Sequence, residues 1–354
     1  MVNLKKTICI IGGGFYGSYI ANKIKEDFKN FKVEIYEKNS DLITQAGKNN
    51  QYRLHLGFHY PRSQETINQT QKGSKIFTKE FKKFIFKIKK NIYLIHKKSI
   101  LNFSEYKSVF KNKKIYFKEL NLKKFDFLKN KEDFQGAINT EEQVILLDKL
   151  IPFLKKKVKE KCKVYCNQEI KEIISKTTEI ILNQNKKKKF DYIINCTYTN
   201  PNLGLKKKYS IKYEIAAMLK VYTNIKNTAL TIMDGPFISI YPRNSEESSI
   251  SSVIFTPQKK FRNLKDLEKN LIKTKKNKKN IQKKIIGHLK NYFNDKIKII
   301  NKGIIIAPKV KILNDKKSER VTMIKKNHNV ISVLCGKLDA APLAYRFIKN
   351  IVKN

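Results

Sequence analysis

Residues 7–37 read TICIIGGGFYGSYIANKIKEDFKNFKVEIYE, and this stretch decides the fold. Thr7–Ile11 is a short apolar run of the kind that forms a buried parallel strand. A glycine turn follows, then a segment with apolar residues at helical spacing, and then a second strand-like run over Lys32–Tyr36. Strand, turn, helix and strand in this order predict a βαβ unit that starts a parallel sheet.

The turn contains Gly12, Gly14 and Gly17, which match the G-x-G-x-x-G pattern of dinucleotide sites. The first glycine permits a tight turn, the second lets a pyrophosphate approach the backbone, and the third lets the helix pack closely on the strand. Phe15 and Tyr16 lie at the helix start, where unpaired N–H groups face phosphates. The pattern predicts a dinucleotide site but does not distinguish FAD from NAD.

An acidic residue ends the second strand, as such a site requires. Glu37 follows Gly17 by 20 positions. A carboxylate at this spacing accepts hydrogen bonds from ribose hydroxyls and repels a 2′-phosphate. We count Glu37 and its neighbour Lys38 among the candidate cofactor-binding residues.

The chain is strongly basic, with 76 Lys+Arg against 30 Asp+Glu and a net charge of +46. Only six of the basic residues are arginine, and the lysines are spread along the chain. This pattern is typical of codon bias in an AT-rich genome and predicts a solvated surface, not the localised stripe of a specific nucleic-acid site. Because lysine cannot copy the bidentate fork of arginine, the arginines beside turns and motifs are candidates for geometric roles: Arg53, Arg62, Arg243 and Arg320.

Cysteine use and hydropathy limit the class of protein. The five cysteines are scattered and odd in number, which does not favour a secreted disulfide scaffold. Cys162 and Cys166 lack a second pair at ligand spacing, so we predict no metal site. No apolar run approaches the ~20 residues of a membrane span, and no signal-peptide pattern precedes the first strand. We expect a cytoplasmic protein with a small-molecule substrate, and the sequence leaves the oligomeric state open.

A second informative stretch, residues 50–63, reads NQYRLHLGFHYPRS. Its alternation is also compatible with a half-exposed strand. Together with the amino-terminal unit, the stretch resembles the FAD-dependent oxidoreductases of the D-amino-acid oxidase type, which include glycine and sarcosine oxidases. In that family a small-residue turn and then an arginine run along the pyrophosphate and the flavin ring. Ala46, Arg53 and His55 occupy the matching positions, so the resemblance implies FAD.

Other landmarks of that family recur later in the chain, each near a predicted strand end. Two positions depart from its usual pattern, since Tyr198 stands where the family has a glycine and Lys337 where it has a histidine. The resemblance implies that Lys337 or His55 could stabilise negative charge on the reduced flavin. The further residues that it implies at the cofactor are Ile170, Cys196, Thr197, Gly336, Lys337 and Leu338.

The resemblance implies an α/β fold, in which a Rossmann-like FAD-binding domain with a parallel sheet carries an inserted α+β substrate domain with a mixed sheet. We assign residues 1–62, 140–203 and 309–354 to the FAD-binding domain, and residues 63–139 and 204–308 to the substrate domain. Within them, the spacing predicts a helix over residues 76–85. A second amphipathic helix is expected over residues 142–160, interrupted at Pro152.

The family transfers a hydride from a carbon beside an amine, or more rarely beside a hydroxyl, to flavin N5. An arginine often clamps the substrate carboxylate there, which makes Arg243 and Arg320 candidates. Tyr241, which precedes Arg243 at a predicted strand end, could donate a hydrogen bond to the substrate. Two other functions stay open on the sequence: an NAD-dependent dehydrogenase, and a nucleotide- or flavin-binding protein without catalytic turnover.

Overall fold

The first large sheet is built on the amino-terminal βαβ unit. The computed structural model describes residues 5–182, 185–315 and 319–353. Strands are numbered in chain order, and this sheet contains β1 (Thr7–Ile11), β2 (Lys32–Tyr36), β9 (Lys163–Tyr165), β13 (Tyr192–Asn195), β20 (Met323–Asn327) and β21 (Val330–Leu334). In the described residues their order is β20-β21-β13-β1-β2-β9. Neighbouring strands are parallel, except that β20 runs antiparallel to β21.

Successive side chains of β1 point to opposite faces of the sheet, and both faces are covered. Ile8 and Ile10 point into a core shared with helices, whereas Cys9 and Ile11 join a separate cluster on the opposite face. All four side chains are at most 2% exposed. A continuous apolar run is what a strand buried on both faces requires.

Strand order places the carboxyl ends of the five parallel strands at the same edge of this sheet. The chain leaves β1 toward β2 on one side, while β13 pairs with β1 on the other. Such a reversal opens a crevice beyond the strand ends, where ligands bind in sheets of this kind. The segments that follow β1, β2, β13 and β21 begin at Gly12, Glu37, Cys196 and Cys335.

A mixed sheet forms the second large layer. Within the described residues its order is β18-β14-β17-β16-β15-β5-β7-β6. The strands β17 and β18 pair with different stretches of β14, and β19 pairs with β14 along its whole length. The pair β15 and β5 is parallel and the remaining pairs are antiparallel. Its strands are β5 (Lys90–His96), β6 (Phe117–Leu120), β7 (Phe134–Thr140), β14 (Ile211–Thr223), β15 (Thr228–Met233), β16 (Ile238–Pro242), β17 (Glu247–Ser252), β18 (Pro257–Phe261) and β19 (Ile299–Ile312).

Two small sheets and the helices complete the described part of the chain. One small sheet contains β3 (Arg53–Leu54), β4 (Ile85–Phe86) and β8 (Gln143–Ile145), and the other contains β10 (Glu172–Ile174), β11 (Glu179–Ile181) and β12 (Lys187–Lys189). The α-helices are α1 (Phe15–Asp27), α2 (Gln64–Glu80), α3 (Phe103–Asn112), α4 (Leu147–Lys161), α5 (Leu264–Lys276), α6 (Lys278–Leu289) and α7 (Ala341–Lys353). None of these helices is long and apolar enough to cross a bilayer.

The predicted fold class is confirmed, since a Rossmann-like layer and a mixed sheet are both present. Two helix predictions were wrong. The helix predicted over 76–85 spans Gln64–Glu80, because the Ser63 hydroxyl accepts the Thr66 N–H and starts it earlier. Pro152 does not interrupt α4, whose apolar face stays buried on both sides of it through Leu147, Leu150, Leu154 and Val158.

Candidate functional site

A cavity of about 930 Å³ lies where the two large sheets face each other. Its size falls in the upper part of the ~300–1,000 Å³ range of small-molecule and cofactor sites. Gly12 and Gly14 line it from the amino-terminal turn, and Gly336 lines it from the carboxy-terminal turn. Residues of the mixed sheet, including Thr231 and Met218, form the opposite wall.

The glycines of the first turn have distinct surroundings. Gly12 has a φ of +93°, and a Cβ there would lie 2.8 Å from the Cys196 carbonyl oxygen. A Cβ on Gly17 would lie 2.0 Å from the Gly12 oxygen, so Gly17 lets α1 approach β1. A Cβ on Gly14 would meet nothing within 4 Å among the described atoms, although Gly14 lines the cavity. The space over Gly14 is therefore open to a ligand.

The start of α1 adds an electrostatic attraction for anions. Gly14 precedes the helix, and no side chain in the described ranges caps its first N–H groups. Unpaired N–H groups and the helix dipole favour a negatively charged ligand at this position. Both the shape and the charge of the turn fit a pyrophosphate.

Glu37 holds the turn as well as lining the cavity. Its Oε2 accepts the Gly13 N–H at 2.7 Å, and its Oε1 accepts the Asn39 N–H at 2.8 Å. The side chain is buried. Because each carboxylate oxygen accepts more than one hydrogen bond, this arrangement leaves capacity for a ribose hydroxyl.

The two ends of the chain meet at this site. The Tyr16 hydroxyl, on the first turn of α1, lies 2.7 Å from the Thr322 hydroxyl and also donates to the Lys337 carbonyl oxygen. The Thr322 hydroxyl in turn accepts the Gly336 N–H at 3.0 Å. The glycine turn after β1 and the glycine turn after β21 are thus held on the same cavity.

The segment 53–62 presents polar groups to the cavity that lack partners of their own. Arg53 is 7% exposed, stacks on the Tyr241 ring at 4.1 Å and donates to the Thr231 hydroxyl at 3.1 Å. Three polar atoms have no hydrogen-bond partner in the described part of the chain: Arg53 Nη2, His55 Nδ1 and His59 Nδ1. All three side chains line the cavity. Buried polar groups without partners mark a place where a ligand would satisfy them.

Burial keeps both histidines neutral at physiological pH. Burial, reinforced by nearby cations, lowers the pKa of His55 and of His59 well below the usual histidine range. For His55 the largest cation contribution comes from Lys337, and for His59 it comes from Arg53. Neutral imidazoles can both donate and accept hydrogen bonds, which suits contact with a polar ring edge.

Two buried acids behind this segment were missed by sequence reasoning. Glu142 accepts the Leu56 N–H at 2.8 Å and the hydroxyl of Tyr93. Asp339 accepts the His55 N–H at 3.3 Å, and in the described residues its Oδ1 has no partner. Burial raises the pKa of both carboxyls. Neither residue lies in a recognisable motif, so the sequence alone carried no signal for them.

Cations are concentrated near the carboxy-terminal turn. Lys337 lies with its Nζ 4.6 Å from the centre of the Tyr60 ring. Arg320 and Lys309 also line the cavity. Burial and the charges of Arg320 and Lys309 lower the pKa of Lys337 well below its usual value. This part of the site therefore favours an anionic group.

Two of the three predicted catalytic residues lie outside the cavity wall, and only Arg320 lines it. The Arg243 guanidinium covers the Tyr52 ring at 3.6 Å and donates to the Asn50 carbonyl oxygen at 2.7 Å. The Tyr241 hydroxyl donates to the Gln143 carbonyl oxygen at 2.9 Å, and the side chain is fully buried. Both are placed to support the wall on which Arg53 lies.

The other predicted cofactor residues are distributed around the same cavity. Lys38 is held by Glu268 at 2.7 Å at its rim. Gly17 supports the turn from behind without lining the cavity. The remaining predicted residues that line it are Phe15, Tyr16, Ala46, Ile170, Cys196, Thr197 and Leu338. Across the described ranges no group of three His, Cys, Asp or Glu side chains is placed to hold a metal ion.

Comparison of the sequence with known proteins gives a match to a family model and a match to a relative. Residues 10–70 match a family model described as an NAD(P)-binding Rossmann-like domain. The FAD-dependent monooxygenase FPY4 of Fusarium mangiferae is 26% identical over 261 residues. That match covers 72% of this chain but 65% of the relative, so the chain spans less than two thirds of the relative's length.

Solved structures match nearly the whole chain. Glycine oxidase from Geobacillus kaustophilus has a TM-score of 0.71 at 12% identity, covering 99% of this chain and 95% of that one. L-alpha-glycerophosphate oxidase from Mycoplasma pneumoniae, solved with FAD bound, has a TM-score of 0.71 at 14% identity, covering 97% and 93%. The chain has the fold of the D-amino-acid oxidase type of FAD-dependent oxidoreductases. The resemblance predicted from the sequence is thereby confirmed for the fold.

Proposed function

We propose that this protein is an FAD-dependent oxidoreductase that oxidises the carbon beside the amine of a small amine or amino-acid-like substrate. One observation carries the proposal. The glycine turns at the two ends of the chain lie on the same cavity, in a fold shared with glycine oxidase. The FAD-dependent relative supports the same class. We assign cofactor binding to the layer around β1 and substrate binding to the mixed sheet.

The residues at the cavity fit FAD on two structural observations. The position over Gly14 is open beside an uncapped helix start, which suits the pyrophosphate. Arg53 and His55 offer polar atoms without partners in the described residues, which suits the edge of a flavin ring. When bound, FAD supplies the acceptor for the substrate hydride, at flavin N5.

The chain's own contribution is orientation, charge and exclusion of water. The Gly336–Leu338 turn and the cations Lys337 and Arg320 provide a positive environment for an anionic group. The mixed sheet closes the opposite wall with Met218 and Thr231. These groups would hold the substrate carbon in one orientation, which supplies much of the rate enhancement of a cofactor enzyme.

An absorption spectrum of the purified protein tests the cofactor directly. We expect flavin bands, and loss of these bands when an amine or amino acid is added without oxygen. Absence of flavin together with binding of NAD would favour a dehydrogenase. Flavin that no amine, amino acid or hydroxy acid reduces would favour a binding protein without turnover. Reduction by NADH or NADPH alone would instead place the chain with monooxygenases such as the Fusarium relative.

Two arginine variants discriminate between the candidate carboxylate clamps. Arg320 lines the cavity, and in the described part of the chain its guanidinium bonds only the Glu319 carbonyl oxygen, at 3.0 Å. We expect Arg320→Met to weaken binding of a carboxylate ligand about 10- to 100-fold, because a hydrogen bond to a charged group contributes about 1.5–3 kcal/mol. Titration with benzoate, followed by the change in flavin absorption, measures this effect.

The matched variant is Arg243→Met, which removes the other predicted clamp. Because Arg243 packs on Tyr52 outside the cavity, we expect a lower Tm with benzoate affinity retained in the folded protein. Loss of benzoate binding in Arg243→Met, with binding intact in Arg320→Met, would reverse the assignment.

A further inference from the structure

Lys309 is one of four lysines in the described residues that line the cavity, together with Lys38, Lys311 and Lys337. It lies on β19 and lines the cavity, and 37% of its side chain is exposed. Its Nζ makes no hydrogen bond to any described residue, and the carboxylate that faces it, Glu214, is 4.0 Å away. The accessible part of the side chain is therefore within reach of a ligand in the cavity.

Glu214 is already committed to another lysine. This carboxyl is 1% exposed on β14, and its Oε2 accepts a hydrogen bond from Lys311 Nζ at 2.6 Å. Burial acts to raise the pKa of Glu214, but Lys309 and Lys311 lower it below its usual value, so the carboxylate is charged. Because the one carboxylate of Glu214 faces two lysines, it does not fully neutralise the charge of Lys309.

The remaining titratable groups coupled to Lys309 in the described residues are basic, and they include the ring of His59. Arg320 approaches from the loop before β20, and Lys337 from the turn after β21. Burial, Arg320 and Lys311 lower the pKa of Lys309 to about 7, with Glu214 acting in the opposite direction. The lowered pKa increases the fraction of uncharged amine near neutral pH, and the lone pair of that amine can accept a proton.

We propose that Lys309 is the general base that removes a proton from the substrate's ammonium group before its neighbouring carbon is oxidised. A free amine reaches the enzyme at pH 7 mostly as an ammonium ion, whose positive charge opposes the loss of a hydride from the adjacent carbon. In the step, the substrate N–H bond breaks, its electron pair stays on nitrogen, and the proton binds Lys309 Nζ. The proposal rests on the proposed function and adds that the substrate enters with a protonated amine beside the carboxylate that Arg320 would hold.

The geometry separates Lys309 from its neighbour on the same strand. Lys311 donates to Glu214 at 2.6 Å, and this bond favours its protonated form, although burial lowers the pKa of Lys311 as well. Both lysines line the cavity near Arg320 and Lys337, but Lys309 lacks such a bond among the described residues. The missing hydrogen bond thus distinguishes Lys309 from Lys311.

The decisive experiment compares Lys309→Met and Lys309→Arg in anaerobic reduction of the protein-bound flavin between pH 6 and pH 10. General-base catalysis contributes about 10²–10⁴-fold, so we expect both variants to be at least about 100-fold slower at pH 7.5. Arginine keeps the charge but cannot accept a proton at this pH. With an alkylamine substrate of pKa near ~10, the defect should shrink as the pH rises and the substrate loses its own proton.

The outcomes that overturn the proposal are distinct. Lys309→Arg at the wild-type rate would show that a fixed positive charge suffices. Lys309→Met with altered substrate affinity but an unchanged pH profile would assign the residue to anion binding. If no amine reduces the flavin in the wild-type protein, the proposed function itself fails. Lys220→Met, which removes a lysine paired with Glu247 outside the cavity, is the matched control.

A readout independent of turnover is the reactivity of Lys309 in the purified protein. Trace acetylation with acetic anhydride at a series of pH values, followed by peptide mass spectrometry, reports the fraction of each lysine that is uncharged. We expect half-maximal labelling of Lys309 near pH 7, at least tenfold above Lys220 at pH 7.5. Labelling of Lys309 only near pH 10 would refute the proposal, even if the variants did not fold.

Discussion

Gly14→Val is expected to leave the fold intact and to abolish flavin binding. The backbone of Gly14 is extended, with φ −65° and ψ −173°, which any residue adopts. A Cβ there meets no described atom within 4 Å, so the added side chain occupies open cavity and not packed protein. It therefore fills the space over the helix start that a pyrophosphate requires. We expect the flavin content of the purified variant to fall more than tenfold.

The control for this prediction is Gly17→Ala, in which the same kind of change meets packed backbone. Its Cβ would lie 2.0 Å from the Gly12 oxygen, so α1 must move away from β1. We expect a loss of about 1–3 kcal/mol in the free energy of unfolding, as for other overpacked sites. Urea unfolding of the flavin-free proteins should separate the two variants. Normal flavin content in Gly14→Val would show that the ligand does not cross this turn.

The first turn could be predicted because its determinants are local. Gly12, Gly14, Gly17 and Glu37 lie within one βαβ unit whose geometry follows from strand, turn and helix propensities. The carboxy-terminal turn at Gly336 was predictable for the same reason, since it joins a buried strand to a helix. In both places the spacing along the chain determines the spacing in the structure.

The substrate side could not be predicted in the same way, because its residues converge from distant strands. Glu142 lies between β7 and β8, and Asp339 lies in the turn after β21. Both meet the segment 53–62 through the tertiary fold, as does Lys309 on β19, and local spacing does not determine these contacts. Arg243 shows the reverse case. It follows a predicted strand end as a clamp would, yet the register of β16 directs it onto Tyr52.

Glu142→Leu is expected to have the largest effect on stability among these variants. Leu56 would lose the acceptor for its N–H, and Tyr93 the acceptor for its hydroxyl. Arg53 would also lose the Glu142 carboxyl, with which it interacts electrostatically. Removal of one partner from a buried charged cluster costs about 3–5 kcal/mol. We expect this loss in urea unfolding, together with weaker flavin binding, because Arg53 and His55 line the cavity.

The matched variant Glu142→Gln removes the charge of the side chain but keeps its shape. Its amide oxygen can still accept the Leu56 N–H, and the Tyr93 hydroxyl can become the acceptor, so we expect a smaller loss of about 1–3 kcal/mol.

Burial raises the pKa of Glu142 in the folded protein. Folding therefore favours its protonated form, and the wild-type protein should lose stability as the pH rises from ~4.3, the usual glutamate value, through the raised pKa. Glu142→Gln lacks this titration, so the difference in stability between the two proteins should narrow with rising pH across that window. A difference that stayed constant or widened would show that folding does not raise the pKa of Glu142.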